Sequence, residues 1–206
     1  MKLFFLLVYS IIWISCNRQS KEPSSNIIIG RDTNVFRPEV ANPYVSQDIS
    51  PVDISYYPVD YPVQKMTDPS IPLPVARIIY SRPQRQGRSI FGSLLKFGEP
   101  WRLGANEATE IELFQTVRSG KQTLNKGRYI LYCIPQADKW TIHFNTNIYS
   151  WGLTQHKEQD VYTIEVPVQK IVNPLEYFTI VFQKTDAGAD VIFAWDEVEA
   201  RLPLIF

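Results

Sequence analysis

Trp140-Thr141-Ile142-His143-Phe144-Asn145 sets three large apolar side chains at alternate positions, with polar ones between them. A period of two over this length is the pattern of a strand with one face buried and the other in water. The same period recurs along the chain. Thr109-Glu110-Ile111-Glu112-Leu113-Phe114 alternates polar and apolar residues, Tyr162, Ile164 and Val166 oppose Thr163 and Glu165, and Phe178, Ile180 and Phe182 share one face. Val198, Ala200 and Leu202 lie opposite Glu197, Glu199 and Arg201, while Val75–Tyr80, Tyr129–Ile134 and Val191–Trp195 are apolar on both faces and read as central strands. Asn125-Lys126-Gly127 and Asp186-Ala187-Gly188 supply turn chemistry between them. No helical stripe of ten or more residues competes. The pattern predicts an all-β fold, a β-sandwich of about eight mostly antiparallel strands.

Upstream of these strands the composition changes. Residues 38–74 hold eight of the 15 prolines. Proline has no N–H to donate and breaks both helix and inner strand. Within this stretch Tyr56-Tyr57-Pro58-Val59-Asp60-Tyr61-Pro62-Val63 is too apolar for a solvated linker. It predicts an extended Pro-rich segment, 48–74, docked on the domain through its aromatics.

The first residues predict export. Met1-Lys2 precedes an apolar run from Leu3 to Ile14, shorter than the ~20 residues of a membrane-spanning helix. The run ends at Ser15-Cys16, a pattern that resembles the lipobox of bacterial lipoproteins, with Trp13 in place of the usual leucine-like residue. That resemblance implies a signal peptide over 1–15, acylation of Cys16 and attachment to a membrane through it. Asn17 is not the aspartate that, by resemblance to enteric lipoproteins, marks inner-membrane retention, which points to the outer membrane. No acidic run follows Cys16 to signal export to the outer surface, so the expected side is the periplasmic one, with surface exposure as the alternative. The polar residues after Cys16 read as a tether and linker over 16–47, and residues 48–206 as one domain.

Composition narrows the partners. Acidic and basic residues are equal at 21 each, so there is no basic excess to attract nucleic acid. Of the two cysteines, Cys16 is the expected lipid site. Cys133 lies in the apolar run Arg128–Ile134 and reads as a small buried hydrophobe.

The longest connection between predicted strands runs from Tyr80 to Thr109, and loops of this length are often functional. The segments Ser81-Arg82-Pro83 to Gly87-Arg88, Phe91-Gly92 and Trp101-Arg102-Leu103-Gly104-Ala105-Asn106-Glu107-Ala108-Thr109 stand out. Together with Ser55-Tyr56-Tyr57-Pro58, Gly127-Arg128-Tyr129, Ser150-Trp151-Gly152 and Ala194-Trp195-Asp196, they resemble the domain-of-unknown-function family twenty-nine-eleven of Gram-negative envelope proteins. The resemblance covers roughly Asp48 to Phe206. It implies an envelope setting and carries over no catalytic residue, substrate or cofactor.

The residues themselves suggest a site. Between Arg82 and Ala108 stand Arg82, Arg85, Arg88, Lys96 and Arg102, opposed by Glu99 and Glu107. The guanidinium fork matches carboxylate or phosphate, and Trp101 offers a flat apolar face. Arg82, Arg88, Trp101, Arg102, Asn106 and Glu107 are the candidate site for an acidic or glycosidic envelope ligand. The structural alternative has Arg82 and Arg102 paired with Glu107 or Glu110, Asn106 capping a turn and Trp101 filling the core, so that the loop is merely pinned. No cofactor or metal is expected: His143 and His156 have no second ligand at metal spacing, and His143 falls on the outer face of its strand. There is no Gly-x-Ser-x-Gly elbow or phosphate loop. Ser81 and Ser89 have no histidine close in sequence, and Glu110/Glu112 and Glu197/Glu199 read as solvated strand faces. The leading expectation is therefore a non-catalytic binding module. A scaffold for a protein partner and a glycan hydrolase using Glu107 are the alternatives.

Overall fold

The computed structural model describes residues 48–206. The signal peptide over 1–15, the acylated Cys16 and the tether over 16–47 all lie outside the described residues. Among those described, no helix is long and apolar enough to cross a membrane.

The fold is all-β. Nine strands are present: β1 (Val52–Tyr57), β2 (Ala76–Ser81), β3 (Thr109–Leu113), β4 (Val117–Ser119), β5 (Gln122–Leu124), β6 (Gly127–Pro135), β7 (Lys139–Asn145), β8 (Asp160–Thr185) and β9 (Gly188–Ile205). They pair antiparallel in the order β1-β2-β3-β6-β7-β8-β9-β4-β5, as one sheet that does not close. The two turn motifs sit where the sequence puts them, at the β5–β6 and β8–β9 connections.

Two pairs of segments that read as separate strands are continuous. Tyr162–Val166 and Phe178–Phe182 both belong to β8, and Val191–Trp195 and Val198–Leu202 both belong to β9. The first part of β8 pairs with β7, from Asp160 to Pro167, and the rest pairs with β9. Between Lys170 and Thr179 the β8–β9 register shifts twice, around Asn173-Pro174, where proline removes a ladder donor. Through this irregular stretch one strand serves both halves of the sheet.

The alternation predicted from sequence is the alternation of burial. Ile78 and Tyr80, Ile111 and Leu113, Leu131 and Cys133, Trp140, Ile142 and Phe144, Ile164 and Val166, and Phe178, Ile180 and Phe182 join a single buried cluster with Val191, Phe193 and Trp195. The edge strand β1 comes against the second part of β8, where the Ser55 hydroxyl donates to the Ile180 carbonyl at 2.5 Å. Cys133 is fully buried, and burial pushes its thiol pKa well up.

The Pro/Tyr segment differs from a uniformly extended strap. Its first part is β1, whose Tyr57 ring packs beside Phe182 and Phe206. It then forms a short helix, α1 (Tyr61–Thr67), with a proline in the first turn, where no backbone donor is needed. Gln64 Nε2 donates to Asp60 Oδ2 at 2.7 Å, and Lys65 Nζ reaches the Pro69 and Ile71 carbonyls. Val63 stays exposed.

Candidate ligand-binding site

The connection from β2 to β3, residues 82–108, is ordered by bonds to three other parts of the fold. Near its start, Phe178 N–H donates to the Pro83 carbonyl at 3.0 Å and Arg85 N–H to the Glu176 carbonyl at 2.7 Å. These bonds occupy residues 176–178 of β8, within the stretch where its register with β9 slips. Later, Trp101 and Cys133 exchange backbone bonds at 2.7 and 2.8 Å, so the loop continues the lane beside β6 that β3 occupies lower down. The Trp101 ring stacks on Trp195 at 5.9 Å and meets Trp140 edge-on at 5.9 Å, and its indole N–H donates to the Gly104 carbonyl. The Thr109 hydroxyl donates to the Leu103 carbonyl at 2.5 Å.

Between this loop and the β7–β8 connection lies a cavity of about 460 Å³, within the range of roughly 300–1,000 Å³ usual for small-molecule sites. Arg88, Arg102, Leu94, Leu153, Trp101 and Trp195 are on its wall, and among the described residues no carboxylate is. The two arginines differ in state. Arg88 is tied down: Nε donates to the Arg85 carbonyl at 2.9 Å and Nη2 to the Gln84 carbonyl at 2.5 Å. Arg102 makes no ion pair among the described residues, and its buried Nη1 has no hydrogen-bond partner among them. Burial lowers its pKa, but a guanidinium stays protonated in proteins. A partly buried cation on a cavity wall that carries no carboxylate among the described residues is chemically matched to an anion.

The six candidate residues separate. Arg88, Trp101 and Arg102 come together at the cavity. Arg82 does not: it pairs with Asp53 at 3.2 Å, donates to the Phe178 carbonyl at 3.3 Å and lies over the Tyr177 ring at 5.6 Å. Asn106, in the left-handed region at φ 57°, donates from Nδ2 to Asp48 at 2.6 Å. Glu107 faces a second cleft. The arginine–glutamate pairing that would pin the loop is not formed as expected. Glu110 is taken by Arg128, Arg82 pins the loop through Asp53 instead, and Arg102 pairs with neither glutamate.

Several residues with roles here were not singled out by sequence reasoning. Trp195 forms part of the cavity wall, and Asp196, with φ 53°, holds Arg85 at 3.0 Å and accepts the Ile90 N–H. The motif Ala194-Trp195-Asp196 was the available signal, without a role attached. Glu110 and Glu112, expected in solvent, are half-buried in cross-strand pairs with Arg128 and Arg77. His143, expected on the surface, is covered. Its ring stacks on Tyr132 at 4.4 Å and 6°, and Nδ1 meets Asp160 at 3.1 Å. Asp160 also accepts from Tyr132 at 2.6 Å and Asn145 at 2.8 Å. His143 Nε2 is buried with no partner among the described residues, and burial lowers the ring's pKa against the opposing pull of Asp160. The ring is mostly covered, and among the described residues no nucleophile is bonded to its free nitrogen. Among the described residues no cluster of His, Cys, Asp and Glu is arranged to hold a metal ion.

Compared with known proteins, the chain matches one family, described as Protein of unknown function (DUF2911), over residues 62–204. No curated protein and no solved structure matches it.

Proposed function

For a chain that belongs to the DUF2911 family, we propose a non-catalytic binding role in the cell envelope, with attachment to the outer membrane through an acylated Cys16. The ligand carries a carboxylate or phosphate and a flat or apolar body, such as an acidic sugar. Its anionic group meets Arg102, with Arg88 adding positive charge, and its body lies along the exposed side chains of Leu94 and Leu153, above the buried Trp101 and Trp195. One observation carries this reading: the Arg102 guanidinium borders the cavity with a buried, unpartnered Nη1. An anion at this wall meets the accessible part of a guanidinium that no carboxylate neutralises among the described residues, which makes the Coulomb attraction larger than at a paired arginine.

A thermal-shift screen tests the proposal, using uronic acid oligosaccharides, sugar phosphates and nucleotides against the wild type and Arg102→Ala. Binding to the folded state alone raises the melting temperature by mass action. A shift in the wild type that Arg102→Ala abolishes supports the site. No shift with any anion, or a shift that survives Arg102→Ala, rejects it.

A further inference from the structure

A second cleft, of about 290 Å³, lies on the other side of the Ser150–Gly152 turn. Its chemistry differs from that of the arginine cavity. Tyr149 and Trp151 stand at its rim, 83% and 54% exposed respectively. Two large aromatics this open on one short connection are costly to leave in water, and they are held in place. Tyr149 adopts φ 63°, a left-handed conformation unusual for a bulky residue. Arg128 fixes it there, with Nη1 donating to the Tyr149 hydroxyl at 3.0 Å and the guanidinium 5.3 Å from the ring centroid. Arg128 is itself gripped by both oxygens of Glu110 at 2.8 Å, an ion pair that raises its pKa. The aromatic rim is therefore preorganised by a chain of contacts from β3 through β6 to the β7–β8 connection.

The charges in the cleft select the occupant. Arg128 has its fork filled by Glu110 and offers little to an anion. Glu107 is exposed, with no hydrogen bond or ion pair among the described residues, so two carboxylates face one guanidinium and the cleft is net negative. Ser150 adds a hydroxyl to the lining. A partner must therefore present a flat apolar face to Tyr149 and Trp151, donate hydrogen bonds to a carboxylate and carry no negative charge. A neutral pyranose ring has these properties, with C–H groups on its face and hydroxyls around its edge.

We propose that Tyr149, Trp151 and Glu107 form a binding site for neutral glycan chains, separate from the anion cavity at Arg102. The ring stacks on Trp151 and its hydroxyls donate to Glu107.

The test uses the full chain and three hexasaccharides, of glucose, N-acetylglucosamine and galacturonic acid, with binding followed by calorimetry and Trp fluorescence. Among the described residues Trp101, Trp140 and Trp195 are buried, so a neutral chain that covers Trp151 shifts the emission of an exposed tryptophan. The expected result is saturable binding of a neutral hexasaccharide, weakened about tenfold or more by Trp151→Ala and by Tyr149→Ala, reduced by Glu107→Gln and unchanged by Arg102→Ala. Both aromatics are exposed, so the variants should melt with the wild type, which separates lost binding from lost folding. No binding of either neutral hexasaccharide overturns the proposal, as does binding that Trp151→Ala leaves intact. Loss with Arg102→Ala assigns the glycan to the other cavity and overturns it too. Binding to phosphatidylcholine vesicles that depends on Trp151, without a response to glycans, makes the rim a lipid contact and also overturns it.

Discussion

Arg85 of the long connection and Asp196 of β9 meet at 3.0 Å, with the carboxylate side chain only 13% exposed. The second oxygen of Asp196 accepts the Ile90 N–H at 3.3 Å. The Arg85 Nε–H itself donates to the Arg88 carbonyl, so Asp196 holds the loop at two points by different means, Arg85 by charge and Ile90 by a hydrogen bond. Asp196→Asn keeps a residue that tolerates the left-handed backbone but removes the charge, and should cost about 1–3 kcal/mol in urea unfolding. Limited proteolysis should then cut within 84–92, where the wild type resists.

Arg102 should behave in the opposite way. It has no hydrogen-bond or ion-pair partner to lose among the described residues and carries a buried, unpartnered Nη1, so Arg102→Ala without ligand should leave stability unchanged or raise it by up to about 3 kcal/mol. A large loss in the same denaturation experiment would mean that the guanidinium holds the loop, contrary to the binding role.

Gly152 stands between the two clefts at φ 76°, and a Cβ built there would lie 2.8 Å from Ala108 Cβ and 3.0 Å from Arg102 Cβ. Neither neighbour is the flexible end of a long side chain. Gly152→Ala should destabilise by ~1–3 kcal/mol through strain and overpacking, and should weaken ligands in both clefts because the turn is forced away from the loop. Chemical denaturation and the two binding assays check this.

His143 gives the fold a pH dependence with a definite sign. Burial holds its folded pKa below the ordinary 6.5, with Asp160 opposing and Lys157 adding to the depression. Well above pH 6.5 the ring is neutral in both folded and unfolded chains and contributes no slope. As pH falls from about 6.5 toward the folded value, the unfolded chain takes up the proton first, so stability declines. His143→Phe keeps a ring against Tyr132 and should flatten that decline in melting temperature between pH 7 and 5.

Cys133 should be chemically silent. Its thiol is fully buried and its pKa is pushed up, so little thiolate forms. In a chain carrying Cys16→Ser, a thiol reagent should label nothing until denaturant opens the core, and labelling should follow the unfolding curve.

The all-β class, the inward residues of most strands, the burial of Cys133 and the length of the β2–β3 connection are all legible in the sequence. Each is written locally: alternation spans five to seven residues, and a residue's face follows from its neighbours in the chain. Which of the loop arginines lacks a partner among the described residues depends on the fold alone. Arg82, Arg85, Arg88 and Arg102 are alike as sequence, yet Asp53, Asp196 and two backbone carbonyls claim the first three and leave Arg102 at the cavity. The fold likewise merged four predicted strands into β8 and β9, turned part of the Pro/Tyr segment into α1 and covered His143 with Tyr132. The physical reason is common to all of these. Pairing of charges, stacking of rings and burial of an outer face depend on groups brought close by the fold from distant parts of the chain, and local period carries no record of them.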